Sequence, residues 1–429
     1  MTEDTPLAFG TRCLHAGQSP DPATDAVAPP IYQTSSYAFP DAETAADRYA
    51  LEAEGNIYSR FDNPTVRTLE RRLADLEGGV DAVATDSGMA ALDALTLLLA
   101  EAGDNVVSAA SIYGGTHGYL SHTAARRGIE ARYVDTLDPA AYRDAIDADT
   151  AYVHCETIAN PSLVTPDLEA IAAVAHEADV PLVVDNTFAT PYLCTPLEYG
   201  ADVVWESTTK WIHGSGSTVG GVLVDGGSFP WAEHADRYPE LGGPNPGVQG
   251  VDFAERFGER AFAVAARHRA IRSLGDGQTP FDAWATLQGS ETLGVRMERH
   301  CENAMAVADY LADHPDVAWV SYPGLADHET HATASEFLDG GYGGMIAFGL
   351  EGGYEAGKAV CEETSIVQFL ANVGDAKSLI IHPASTTHAQ LDSAAQQESG
   401  VTPDMVRLSV GIEGVSDIIA DLEAAIEAA

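Results

Sequence analysis

Lys210 closes the run Ser207-Thr-Thr-Lys210, directly after the apolar stretch Val203–Trp205. Base is scarce in this chain. It has 22 Lys+Arg against 65 Asp+Glu, and only Lys210, Lys358 and Lys377 are lysine. A lysine at the end of a buried strand is partly dehydrated, which disfavours its charged form. The neutral amine is a nucleophile and forms a Schiff base with an aldehyde. Asp185 ends a second apolar run, Pro181-Leu-Val-Val-Asp185. Open α/β sheets bind ligands at such strand ends, and a carboxylate there can pair with a protonated ring nitrogen. Taken singly, a surface lysine and a turn-capping aspartate explain these residues equally well. Together they are what pyridoxal 5'-phosphate (PLP) needs: an amine for the aldehyde carbon, and an acid that keeps the pyridinium protonated and electron-accepting.

Three further groups fit the same chemistry. Thr85-Asp-Ser-Gly-Met89 reads as a strand-to-helix junction, where Ser87 and Gly88 offer N–H groups at a helix N-terminus, a ready phosphate site. Tyr113, followed by Gly114-Gly115, sits just past a strand and can stack on a flat ring or simply pack. Arg60, in Tyr58-Ser-Arg60, and Arg407, in Val406-Arg-Leu-Ser409, are suited to a bidentate grip on phosphate or carboxylate, with a surface salt bridge as the plain alternative. Gly214–Gly220 is only loosely like a dinucleotide loop, and the scattered histidines (His300, His328, His331, His382, His388) suggest no metal. Cys13, Cys155, Cys194, Cys301 and Cys361 form no C-x-x-C pair and read as small buried hydrophobes.

The elements that must carry these residues are legible as a rhythm. Strands are expected at Ala82–Thr85, Asn105–Ala109, Ala131–Val134, Ala151–Cys155, Leu182–Val184, Val203–Trp205 and Gly221–Val224. Helical patterns such as Thr65–Glu77, Met89–Ala100 and Asp167–Ala178 accompany them, which implies parallel pairing with helices on both faces. Residues 1–62 read as an extended arm with a short helix near Ala42–Leu51. The stretch from Asp225 to about Gly258 reads as a long ordered excursion. One long helix is expected over Thr286–His314, followed by an α+β region with strands at Ala318–Tyr322, Met345–Leu350 and Ser378–Ile381. The formal net charge of −43 excludes nucleic acid and anionic membranes as natural partners. No apolar run approaches the roughly 20 residues of a membrane span. Met1-Thr-Glu-Asp-Thr-Pro6 lacks the basic and apolar regions of a signal peptide, so a cytoplasmic protein is expected. The excess of acid with almost no lysine suggests adaptation to high salt.

Over nearly its whole length the chain resembles the Cys/Met-metabolism PLP enzymes. The matching motifs are Pro29-Pro-Ile-Tyr-Gln-Thr34, Tyr58-Ser-Arg60, Asn63-Pro-Thr-Val66, Ser87-Gly-Met89, Tyr113-Gly-Gly115, Glu156-Thr-Ile-Ala-Asn-Pro161, Asp185-Asn-Thr187, Ser207-Thr-Thr-Lys210, His382-Pro-Ala-Ser-Thr-Thr-His388 and Arg407-Leu-Ser409. Within that family it is most similar to the O-acetylhomoserine sulfhydrylases, through Gly10-Thr-Arg-Cys-Leu-His15 with Gly17-Gln18, the excursion after Asp225, and Gly289-Ser-Glu-Thr-Leu293. Cystathionine γ-synthases and γ-lyases tend to carry lysine where Glu291 stands. Lys210-Trp-Ile-His-Gly214 departs from the relatives' Gly-His order after the lysine.

The resemblance implies an α/β fold of the PLP-dependent transferase type I, aspartate aminotransferase-like. That fold has a mostly parallel seven-stranded sheet with helices on both faces, a smaller α+β C-terminal domain and an extended N-terminal arm. The corresponding divisions are 1–62, 63–285 and 286–429. It implies γ-replacement on O-acetylhomoserine by sulfide or a small thiol. Cystathionine γ-synthase, cystathionine γ-lyase or methionine γ-lyase chemistry is the alternative, and a non-catalytic sulfur carrier a remote one. Lys210, Asp185 and Tyr113 would be catalytic. Gly88, Met89, Ser207 and Thr209, with Ser87 and Asn160 beside them, would hold the cofactor. Tyr58 and Arg60 would complete that site from a neighbouring subunit, so a homodimer is required and a homotetramer expected. Arg407, helped by Ser378 and Asn160, would grip the substrate carboxylate, with Asn372 and Tyr58 lining the pocket.

Overall fold

A computed structural model describes residues 7–387, 389, 396 and 400–429. Residues 1–6, read above for a leader, and His388 lie outside the described residues. Seven strands make the larger sheet: β1 (Asp81–Thr85), β2 (Asn105–Ala109), β3 (Glu130–Val134), β4 (Thr150–Glu156), β5 (Leu182–Asp185), β6 (Val203–Glu206) and β7 (Gly221–Asp225), in the order β1-β7-β6-β5-β4-β2-β3. β7 pairs antiparallel with both β1 and β6, and the pairs among β2 to β6 are parallel. β1, β4, β5, β6 and β7 are buried along their whole length, as a sheet covered on both faces requires. Each expected strand is present, within a residue of its expected limits.

The smaller sheet runs β10 (Gln368–Phe369), β11 (Leu379–Ile381), β12 (Met405–Ser409), β9 (Met345–Leu350) and β8 (Val317–Ser321) in that order. Helices Leu293–Ala312, Gly353–Glu363 and Val415–Ala428 bury their apolar stripes against it, through Val307, Leu311, Val360, Ile418 and Leu422.

Two expectations need correction. The single helix over Thr286–His314 is two, Pro280–Ser290 and Leu293–Ala312. Gly289 packs on His213, where an added Cβ would lie 2.2 Å from the His213 carbonyl oxygen. Its own carbonyl accepts from the Arg296 guanidinium (2.8 Å) and from Thr292 N (3.2 Å), so it does not carry the helix onward. The arm also contains a helix, Phe9–His15, that periodicity did not suggest.

The excursion after Asp225 is ordered by its aromatics. Trp231 stacks near Phe262 (6.0 Å) and meets Tyr238 edge-on (5.2 Å), and the Tyr238 hydroxyl donates to Ala151 O (3.0 Å). All five cysteines are buried and free.

Candidate active site

The carboxyl ends of β1, β2, β4, β5 and β6 converge, and the turns leaving them carry the residues singled out above. After β6 the chain winds tightly. Lys210 N donates to Ser207 O (3.2 Å), His213 N to Thr208 O (3.0 Å) and Gly214 N to Lys210 O (2.8 Å). Arg296 clamps this turn through Trp211 O (2.6 Å) and Ile212 O (3.0 Å). From the loop between β10 and β11, Gly374 (φ 76°) comes so close that a Cβ there would lie 2.9 Å from that of Lys210. Its neighbour Asn372 accepts a hydrogen bond from Lys210 Nζ at 2.6 Å. Burial, and then the positive charge of Arg407, pull the Lys210 pKa down to about 8. About a tenth of the amine is therefore neutral at pH 7, far more than for a free lysine.

Asp185 is 6% exposed at the end of β5 and accepts from Thr187 N (2.9 Å). Thr187 Oγ1 in turn accepts from Ser207 N (2.9 Å), which ties the acid's turn to the lysine's. Burial pushes the Asp185 carboxyl above the usual range. A cationic ring nitrogen beside it would restore the ionised form.

Across the strand pair, Glu156 is the Cα partner of Asp185. It accepts from Tyr113 N (2.7 Å) and Asn160 N (2.8 Å). Tyr113 remains 45% exposed, its ring lying over Gly115, where a Cβ would fall 2.3 Å from the ring edge.

The helix Gly88–Leu99 begins beside this group. Ser87 caps it by accepting from Ala90 N (3.2 Å). Gly88 and Met89 open the helix, so their N–H groups have no acceptor within it. Gly88 lies against Ser207, and a Cβ would meet that of Ser207 at 2.9 Å. Thr209 Oγ1 both donates to Gly220 O (3.2 Å) and accepts from Gly220 N (3.0 Å). A helix N-terminus, two hydroxyls and a glycine contact that leaves no room for a side chain make a cradle for phosphate. A cleft of about 560 Å³ opens at Thr209 and Asn372, lined also by Asp86, Ser217, Gln278 and Asp282.

Arg407 reaches the site from the centre of β12. One terminal nitrogen donates to Asn160 Oδ1 (2.9 Å), and its Nε is buried with no partner among the described residues. Burial lowers its pKa to about 10. Ser378, expected beside it, is fully buried, and its hydroxyl is engaged: it donates to Glu413 (3.0 Å) and accepts from Gly411 N (2.8 Å). Tyr58 and Arg60 lie elsewhere on the chain. Arg60 sits over the Tyr58 ring (5.4 Å) and donates to Arg272 O (2.7 Å). A larger cleft of about 1180 Å³ lies along the arm and the helix Pro64–Glu77, lined by Arg48, Arg67, Arg71, Arg260 and Arg267. It includes neither Lys210 nor Asp185.

Two residues with a place in this geometry had no role from sequence. Glu156 stood in a quoted motif without a role, and Arg296 was indistinguishable from the other arginines.

Residues 10–427 match the profile of the family described as Cys/Met metabolism PLP-dependent enzyme. The chain belongs to this family. Homocysteine synthase from Schizosaccharomyces pombe is 48% identical to it, over 98% of each chain. O-acetyl-L-homoserine sulfhydrylase 1 from Thermus thermophilus is 48% identical over 98% of this chain and 100% of its own. A crystal structure from Campylobacter jejuni, assigned provisionally as an O-acetylhomoserine (thiol)-lyase, superposes with a TM-score of 0.94 at 38% identity, covering 98% of this chain and 100% of that one. It contains a lysine joined to pyridoxyl phosphate. The fold is thus that of the PLP-dependent enzymes. The site's amine of lowered pKa, strand-end acid and phosphate cradle fit the cofactor this Cys/Met-metabolism enzyme requires.

Proposed function

We propose that this PLP enzyme is an O-acetylhomoserine sulfhydrylase. It replaces the γ-acetoxy group of O-acetyl-L-homoserine with sulfide or a small thiol, releasing acetate and L-homocysteine or methionine, in methionine and cysteine biosynthesis. Acetate leaves Cγ with the bonding electron pair and the sulfur nucleophile forms the new bond there, so hydrosulfide plus ester gives thiol plus acetate. The observation that carries the reading is the juxtaposition of a partly buried Lys210, its pKa lowered, with Arg407, a cation that has a partnerless Nε and no ion pair among the described residues. An α-amino acid needs both: an amine to move its α-proton and a guanidinium to hold its carboxylate.

When bound, PLP supplies an aldehyde and an electron-accepting ring. In this reading Lys210 would hold the aldehyde end of the cofactor, and its amine would move the proton to and from the substrate α-carbon. Asn372 orients the freed amine. Asp185 keeps the ring nitrogen protonated, and Tyr113 covers the ring face. The Gly88 and Met89 amides with Ser207 and Thr209 hold the phosphate, helped by Tyr58 and Arg60 of a neighbouring subunit in a dimer or tetramer. The cleft at Thr209 and Asn372 has room for the ester side chain. The acid-rich surface fits a cytoplasm of high salt.

The test is product analysis with O-acetylhomoserine, with and without sulfide, in concentrated salt. Homocysteine and acetate in equal amounts, dependent on sulfide, are expected. Ammonia and a 2-oxo acid formed equally well without sulfide would make it a γ-lyase instead. Lys210→Ala should lose the visible absorbance of the bound cofactor and nearly all turnover.

A further inference from the structure

We propose that Glu156 is a positioning residue whose single carboxylate sets both the ring-covering Tyr113 and the Asn160–Arg407 grip. The inference rests on the functional reading above. Glu156 is 4% exposed, and each oxygen accepts one backbone N–H: Oε1 from Tyr113 (2.7 Å) and Oε2 from Asn160 (2.8 Å). Those two amides belong to the turns that leave β2 and β4, so one rigid group fixes the spacing between them. Asn160 then passes that placement on, accepting from Arg407 at 2.9 Å.

The arrangement costs stability. A buried carboxylate is expensive without a cation, and no ion pair to Glu156 occurs among the described residues. Its strand partner is a second acid, Asp185. A neutral side chain would suit the core better, unless two amides must be held at once by two acceptors. Glutamine cannot do this, because its amide NH₂ has no lone pair to offer the second N–H.

The experiment is a double-mutant cycle on the holoenzyme, with Glu156→Gln and Arg407→Lys. In the parent, Glu156→Gln should raise KM for O-acetylhomoserine by about ten- to a hundredfold, the cost of leaving one buried amide unsatisfied. It should also weaken the induced circular dichroism of the bound cofactor. In the Arg407→Lys background the same change should raise KM by less than about threefold, because the grip that Glu156 sets is already loosened. An equal KM ratio in both backgrounds overturns the link to Arg407. Unchanged dichroism overturns the link to Tyr113. If Glu156→Gln does not fold, Glu156→Asp carries the same cycle, with a smaller loss. A parent that does not turn over O-acetylhomoserine would overturn the functional reading instead, so the two failures are distinguishable.

Discussion

Arg296, which is buried, and Arg407, which is partly buried, lack a carboxylate partner among the described residues, and their difference is informative. Arg296 donates to the carbonyls of Trp211, Ile212 and Gly289 and to Thr292 Oγ1, so its donors are spent on holding the backbone. Arg407 has one amide oxygen and an orphaned Nε, so its donors are available to a ligand. The same cation also acts on Lys210, as the second cause of its lowered pKa after burial. Capture of PLP by the apoenzyme should therefore accelerate about tenfold per pH unit while the amine is mostly protonated, and level off above pH about 8. Arg407→Met removes a positive charge and should move that inflection to higher pH. Rapid-mixing absorbance against pH reads both profiles. An inflection that stays in place in the variant would contradict the electrostatic link.

At the scale of elements, two of the three features that distinguished the sulfhydrylases in sequence, the arm motif and the Gly289–Leu293 run, converge on one buried side chain. Arg72, on the helix Pro64–Glu77, is fully buried and donates to Leu14 O, Ala16 O and Gln18 Oε1 of the arm and to Leu287 O and Ser290 Oγ beyond. Its nearest acid is Glu291, 3.9 Å away. Glu291→Lys would bring a second cation there and should lower Tm by about 2–4 °C, the size of a 1 kcal/mol loss in a large domain. Calorimetry showing no change would contradict the pairing.

A second prediction concerns the helix end and β6. Glu77 and Glu206 are fully buried side by side, and three of their four oxygens lack partners. Burial raises both pKa values. The native state therefore holds protons that the unfolded chain has released, and stability from this pair falls as pH rises above the ordinary glutamate range. Glu206→Gln should raise Tm, more at pH 8 than at pH 5; an equal change at both would contradict this. The strands of the larger sheet were legible in sequence because each is a short apolar run between turn signals. The helix break at Glu291 was not, because it depends on a carbonyl captured by Arg296. The Lys210–Asn372 contact spans 162 positions and joins the turn after β6 to the loop between β10 and β11, which no local pattern encodes.

Over the whole molecule, 65 acidic residues face 22 basic ones. Raising salt from about 0.1 M to about 1 M shortens the screening length from about 10 Å to about 3 Å. That should relieve the self-repulsion of a −43 chain and raise Tm by several degrees. A flat Tm over that range would count against adaptation to high salt. The same composition makes one measurement unusually clean. The chain has three lysines, and borohydride fixes a Schiff base where it formed. Peptide mass mapping of the reduced holoenzyme should find pyridoxyl phosphate on Lys210 alone. A label on Lys358 or Lys377, or none at all, would contradict the account.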